Sequence, residues 1–174
     1  MRYCKQILFI AFCCLFINTA CPNVNTAFYS IEDGLSQSNI NCLHIDTRGF
    51  LWIGTQDGLN RFDGYGFKIY RNQPLDSNSI SNNYIRCIEE DARGNLWIGT
   101  NYGLNKLDIE TGLFTRIYRS VPDSGSMLSQ QVLSLVKLHG NKLLLKTQLS
   151  IELFNVDSLF SERVWALPMR TTDL

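Results

Sequence analysis

Asp46-Thr-Arg-Gly-Phe-Leu-Trp-Ile-Gly-Thr-Gln-Asp-Gly-Leu59 returns with four replacements as Asp91-Ala-Arg-Gly-Asn-Leu-Trp-Ile-Gly-Thr-Asn-Tyr-Gly-Leu104. The two copies align without a gap from Ile40 to Asp63 and from Ile85 to Asp108, at an offset of 45. A third copy follows at an offset of 47 and keeps the pattern while losing the signature. Val132–Val136 stands for the opening strand, Gly140-Asn141-Lys142 for the turn, and Leu143-Leu144-Leu145-Lys146-Thr147 for the Leu-Trp-Ile-Gly-Thr run. Leu144 thus replaces Trp97, and Lys146 replaces Gly99. Self-similarity at a fixed period decides the fold before any single element is assigned.

Within the second unit, Ile85–Glu90 and Leu96–Asn101 read as strands joined by Asp91–Asn95, where Gly94 supplies the positive φ of a tight hairpin. Gly103–Leu107 is a third strand, and Glu110-Thr111-Gly112 turns it into a fourth over Leu113–Arg119. Helical periodicity is sustained nowhere in the body. The expected class is all-β: blades of four antiparallel strands, about three of them, forming part of a β-propeller. The fixed positions then have mechanical roles. Trp52 and Trp97 fill the wedge between neighbouring sheets. Gly54 and Gly99, on the same face, admit the neighbour's backbone. Asp46 and Asp91 bond turn amides ahead of Gly49 and Gly94, and Gly58 and Gly103 head the third strands. Cys42 and Cys87 are repeat-equivalent, and read as buried small hydrophobes in preference to a disulfide.

Working outward, the chain divides into a leader (1–21), a lead-in segment that contributes a strand to a closing blade (22–39), blades at 40–84 and 85–131, a degraded blade at 132–167, and a tail (168–174). Arg2 and Lys5, the apolar run Ile7–Ile17 and the small Ala20 are the parts of a secretory signal. The run is shorter than the roughly 20 residues that span a bilayer. Cys21 leaves a second ending open, lipid attachment, although Asn18 stands where a lipoprotein signal carries an aliphatic residue. An exported, periplasmic chain is the expectation. A ring needs about four to eight blades, so three read as the N-terminal part of a longer propeller, with unpaired edges that make the isolated chain self-associate.

Composition excludes several classes. Of 174 residues 45% are apolar and 18% charged, which supports a folded core and not a disordered chain. Sixteen basic against sixteen acidic residues supply no footprint for nucleic acid. No phosphate loop and no nucleophile elbow occurs, and His44 and His139 lack partners at metal-ligand spacing. Asp46, Asp91, Asp63 and Asp108 recur by repeat symmetry, as turn or strand-end residues rather than acid–base pairs. Glu89-Glu90-Asp91 reads as a solvated strand end. No catalytic residue, metal or cofactor is expected.

Asp46–Leu59 and Asp91–Leu104 resemble the two-component-regulator propeller repeat, with its D-x-x-G-x-[LI]-W-[IV]-G-T-x-x-G-[LI] core, at every defined position. Phe28–Ser38 is similar to the segment that opens such regions. The resemblance implies the periplasmic sensor region of a hybrid histidine kinase, responsive to glycan breakdown products, and itself non-catalytic. An oligosaccharide and, in the full-length protein, a second copy are the implied partners. A secreted glycan-cleaving propeller and a non-functional gene product are the alternatives. Ligand contact is expected where copies differ inside a fixed frame, at Gln56, Asp57, Asn101 and Tyr102 between the second and third strands.

Overall fold

The computed structural model describes residues 26–117 and 131–166; the leader, residues 118–130 and the tail lie outside the described residues. Among the described residues a single 3-10 turn, Ile31–Asp33, precedes twelve strands. The first sheet comprises β1 (Ile40–Ile45), β2 (Leu51–Thr55), β3 (Gly58–Phe62) and β4 (Phe67–Tyr70). A second comprises β5 (Ile85–Glu90), β6 (Leu96–Thr100), β7 (Gly103–Leu107) and β8 (Phe114–Ile117). The third comprises β9 (Val132–Lys137), β10 (Lys142–Thr147), β11 (Ser150–Asn155) and β12 (Phe160–Ala166). Each is an antiparallel meander in chain order. These are three propeller blades.

Register repeats along with sequence. His44 faces Trp52 across β1–β2 as Glu89 faces Trp97 across β5–β6, and an irregularity follows Ile40 and Ile85 alike. The sheets touch through their first strands, β1 on β5 and β5 on β9, so these strands line the axis. The first and third blades stand at the two ends of the arc.

Two apolar layers separate the blades. The first contains Trp52 and Leu59 from blade 1 with Ile85, Ile88, Leu96, Ile98 and Leu107 from blade 2. The second contains Trp97 and Leu104 from blade 2 with Val132, Leu135, Leu143 and Leu145 from blade 3. Each indole therefore projects forward into the aliphatic face of the following blade, and both are wholly buried. A Cβ built on Gly54 would lie 2.7 Å from Ile85 Cγ2, and one on Gly99 would lie 2.8 Å from Val132 Cγ1. At both positions the sheet's own cysteine sulfur, Cys42 or Cys87, and the following blade's first strand together occupy the space a side chain would need.

Residues 26–39 hold no strand. Leu35-Ser36 docks on blade 1 as Ile80-Ser81 docks on blade 2: Ser36 N donates to Asn60 Oδ1 at 2.9 Å, and Ser81 N donates to Asn105 Oδ1 at 2.9 Å. The repeated unit thus reaches back of Ile40, into the connections that precede blades 1 and 2.

Candidate functional site

The repeated polar residues are occupied in holding the blades. Asp46 Oδ2 accepts the Trp52 indole N–H at 2.8 Å, while its Oδ1 accepts the amides of Arg48 and Phe50. Asp91 repeats this with Trp97, Arg93 and Asn95. One carboxylate closes the hairpin and satisfies an indole that has no access to water. Burial pushes the Asp91 carboxyl up, but the bonds from Trp97, Asn95 and Arg93 outweigh it and hold it below its ordinary 3.8. Asp63 and Asp108 accept amides of their own turns, Gly66 and Tyr65 for one, Thr111 and Glu110 for the other, and both are lowered. Asn60 and Asn105, fully buried, clamp the connecting serines, which also bond Thr55 and Thr100.

Cys42 and Cys87 are unpaired thiols. Burial pushes Cys42 up to about 11 and Cys87 up to about 12, so both stay protonated and poorly nucleophilic at neutral pH.

The acidic run differs from expectation. Glu90 and Asp91 are buried, not solvated. Glu90 reaches across to blade 1, accepting Thr47 N at 2.9 Å and Thr47 Oγ1 at 2.7 Å, with His44 Nε2 at 3.9 Å. Its partner lies 43 residues away, which a local reading of the run could not supply. Among the described residues no cluster of His, Cys, Asp or Glu could hold a metal ion.

Three positions that differ between the copies, 41/86, 56/101 and 57/102, share one end of the axis. Because Ile40 pairs with Thr55, Ile85 with Thr100 and Val132 with Thr147, the β2–β3, β6–β7 and β10–β11 turns share an end with the starts of β1, β5 and β9. There a depression of about 350 Å³ is lined by Ile40, Asn41, Tyr84, Arg86 and Leu133. Asn41, Arg86 and Leu133 are the same repeat position in the three blades.

Of the four residues expected at a ligand, Asn101 is tied to this mouth: it accepts from Arg86 Nε, and its amide donates to the Tyr84 carbonyl. Asp57 is held in an ion pair with Arg71 at 2.9 Å. Gln56 N donates to Gln37 Oε1, and Tyr102 is half exposed. The lining residues lie on the opening strands, outside the turns in which the copies most visibly differ. The same criterion of variation within a fixed frame, applied to the second residue of each opening strand, would have found Asn41 and Arg86.

Comparison with known proteins places this geometry. Residues 34–57 and 79–102 match the two component regulator propeller family, beginning at the Leu35-Ser36 and Ile80-Ser81 connections described above. Eighty-three residues are 49% identical to a stretch of histidine kinase P4 of Formosa agariphila, covering 47% of this chain and 6% of that protein. The extracellular domain of a putative hybrid two component system from B. thetaiotaomicron superposes with a TM-score of 0.63 at 20% identity, over 74% of this chain and 17% of that one. Virginiamycin B lyase from Staphylococcus aureus superposes at 0.54 with 18% identity, over 75% of this chain and 42% of that one. The last two likenesses show the propeller fold alone. This chain spans a small part of the relatives it matches.

Proposed function

We propose that this chain, which carries two copies of the two-component regulator propeller repeat, is the ligand-sensing part of an exported two-component sensor. Its axial face binds a small glycan, and the leader 1–21 directs it across the membrane. Binding there changes how the blades sit on one another and so biases a coupled kinase, with no bond made or broken in the ligand. One observation carries the reading: side chains that repeat are consumed in packing and turns, whereas Asn41, Arg86 and Leu133 diverge around an accessible mouth. A scaffold held constant around a variable mouth is the arrangement of a binding module.

Titration calorimetry of the full chain against a panel of oligosaccharides tests this, with mass spectrometry of the ligand afterwards. Saturable binding that leaves the ligand's mass unchanged is expected. Cleavage or elimination products would instead make this a propeller enzyme, a chemistry the same fold hosts in the lyase.

A further inference from the structure

We propose that Arg86 anchors an acidic group of the ligand, the carboxylate of a uronic-acid sugar, at the axial mouth. This rests on the ligand-sensing reading and names its substrate class. Arg86 Nε donates to Asn101 Oδ1, and its Cζ lies 4.9 Å from the Tyr84 ring centroid, so two independent contacts fix the guanidinium plane. Three other arginines are ion-paired, Arg48 with Glu110, Arg71 with Asp57 and Arg93 with Asp157, and Arg61 stacks on Phe50 away from the mouth. Arg116 bonds the carbonyls of Ser79 and Asp76. Among the described residues no carboxylate lies within ion-pair distance of Arg86.

A guanidinium has five N–H donors in a rigid fork. With Nε taken, the Nη edge still offers two parallel N–H groups, which a planar carboxylate accepts together. The rest of the mouth suits a sugar ring. Its volume, about 350 Å³, falls at the small end of ligand sites, about 300–1,000 Å³. Ile40, Leu133 and Tyr84 complete the lining, and the surface it exposes is mostly polar, which suits a hydroxyl-bearing ligand. Asn41 Nδ2 is spent on the Ile85 carbonyl at 2.7 Å, leaving its Oδ1 to accept a hydroxyl. The opposite blade positions hold Asn and Leu, so the charge is delivered to one side of the mouth. A neutral sugar would leave that half-buried cation without a counter-charge.

The test is calorimetric titration of the full chain with digalacturonate, with its carboxyl-reduced counterpart galactobiose, and with inorganic sulfate. Digalacturonate is expected to bind at least tenfold more tightly than galactobiose, and Arg86→Gln to erase that preference. Arg86→Lys keeps the charge but loses the fork and the ring contact, and is expected to lose most of it; circular dichroism checks both folds. The acid-against-neutral comparison on the unmodified chain needs no variant. Equal binding of both sugars, unchanged in Arg86→Gln, overturns the anchor and leaves the sensor reading standing. Binding of sulfate with no digalacturonate binding overturns the carboxylate assignment. Failure of every glycan to bind overturns both readings.

Discussion

Blade 2 and blade 3 have the same four-stranded meander and the same burial rhythm on the face toward the preceding blade, yet opposite chemistry on the other face. Ile85, Ile88, Leu96 and Ile98 of blade 2 become Val132, Leu135, Leu143 and Leu145 in blade 3, all buried. On the forward face, Asp91, Trp97 and Gly99 become Leu138, Leu144 and Lys146. The turn itself survives the change: Leu138 N donates to Lys142 O at 3.0 Å as Asp91 N donates to Asn95 O. Forming a blade therefore needs alternation and a hairpin, while the signature serves the surface that receives another blade. Blade 2 has a neighbour on that surface. In blade 3, Val136 and Trp165 are exposed among the described residues. Aspartate and tryptophan disappear together because a buried indole N–H without an acceptor costs about 1–3 kcal/mol.

The largest expected effect breaks that pairing. Trp97→Ala should destabilise the chain by about 3–5 kcal/mol through lost burial and the cavity left behind. Asp91→Leu alone should also be costly, since it strands the indole and uncaps the amides of Arg93 and Asn95. Asp91→Leu with Trp97→Leu, which writes blade 3's pair into blade 2, should cost less than Asp91→Leu and Trp97→Leu made singly and added. The coupling expected for groups in direct contact is about 0.5–3 kcal/mol, read from urea unfolding of all four proteins. Strict additivity would mean that the two losses in blade 3 are unrelated.

That pairing marks where sequence reasoning reached and where it stopped. The strands lie where the repeat puts them: Ile85–Glu90 coincides, and the expected Leu96–Asn101 ends one residue early, at Thr100. Asp91's turn role was legible because its amide partners are two and four residues on. Its bond to Trp97 was not, because nothing in the spacing says that the indole edge points back over the turn. Glu90 was misread for the same reason on a longer scale, its partners being on another blade. The axial mouth was hidden because alternation shows which residues share a face, but not which face a neighbouring blade leaves open.

A second contrast lies between equivalent faces of blades 1 and 2. Ile88 is 7% exposed between the blades, whereas its equivalent Leu43 is 60% exposed on the near face of blade 1. Ile88→Ala is expected to cost about 2–5 kcal/mol, and Leu43→Ala no more than about 0.5 kcal/mol, by urea unfolding. Ile40 and Ile45 are exposed beside Leu43, and such an apolar row favours association. Leu43→Lys should therefore lower the scattering of a concentrated solution while leaving the unfolding midpoint in place. A loss at Leu43 as large as that at Ile88 would show that blade 1's near face is covered in solution.

The smallest effect is a difference in slope with pH. Asp91 is held below its ordinary 3.8 in the folded protein by its hydrogen bonds. A carboxyl lowered on folding stabilises the protein above its unfolded pKa, and that contribution is lost as pH falls through the folded value. Stability should thus be flat in this respect above about pH 5 and decline below about pH 4. Asp63 and Asp108 are lowered too, by amides of their own turns, so the unmodified chain sums three such groups. Asp91→Asn isolates one: it keeps an acceptor for the turn and removes the titration. Its deficit relative to the unmodified chain should be largest at neutral pH and shrink on acidification. The double variant carrying blade 3's Leu pair should show the same missing slope, because it too lacks the Asp91 carboxyl. A deficit that stays constant from pH 7 to pH 3 would mean that the carboxylate's charge contributes nothing beyond its shape and its hydrogen bonds.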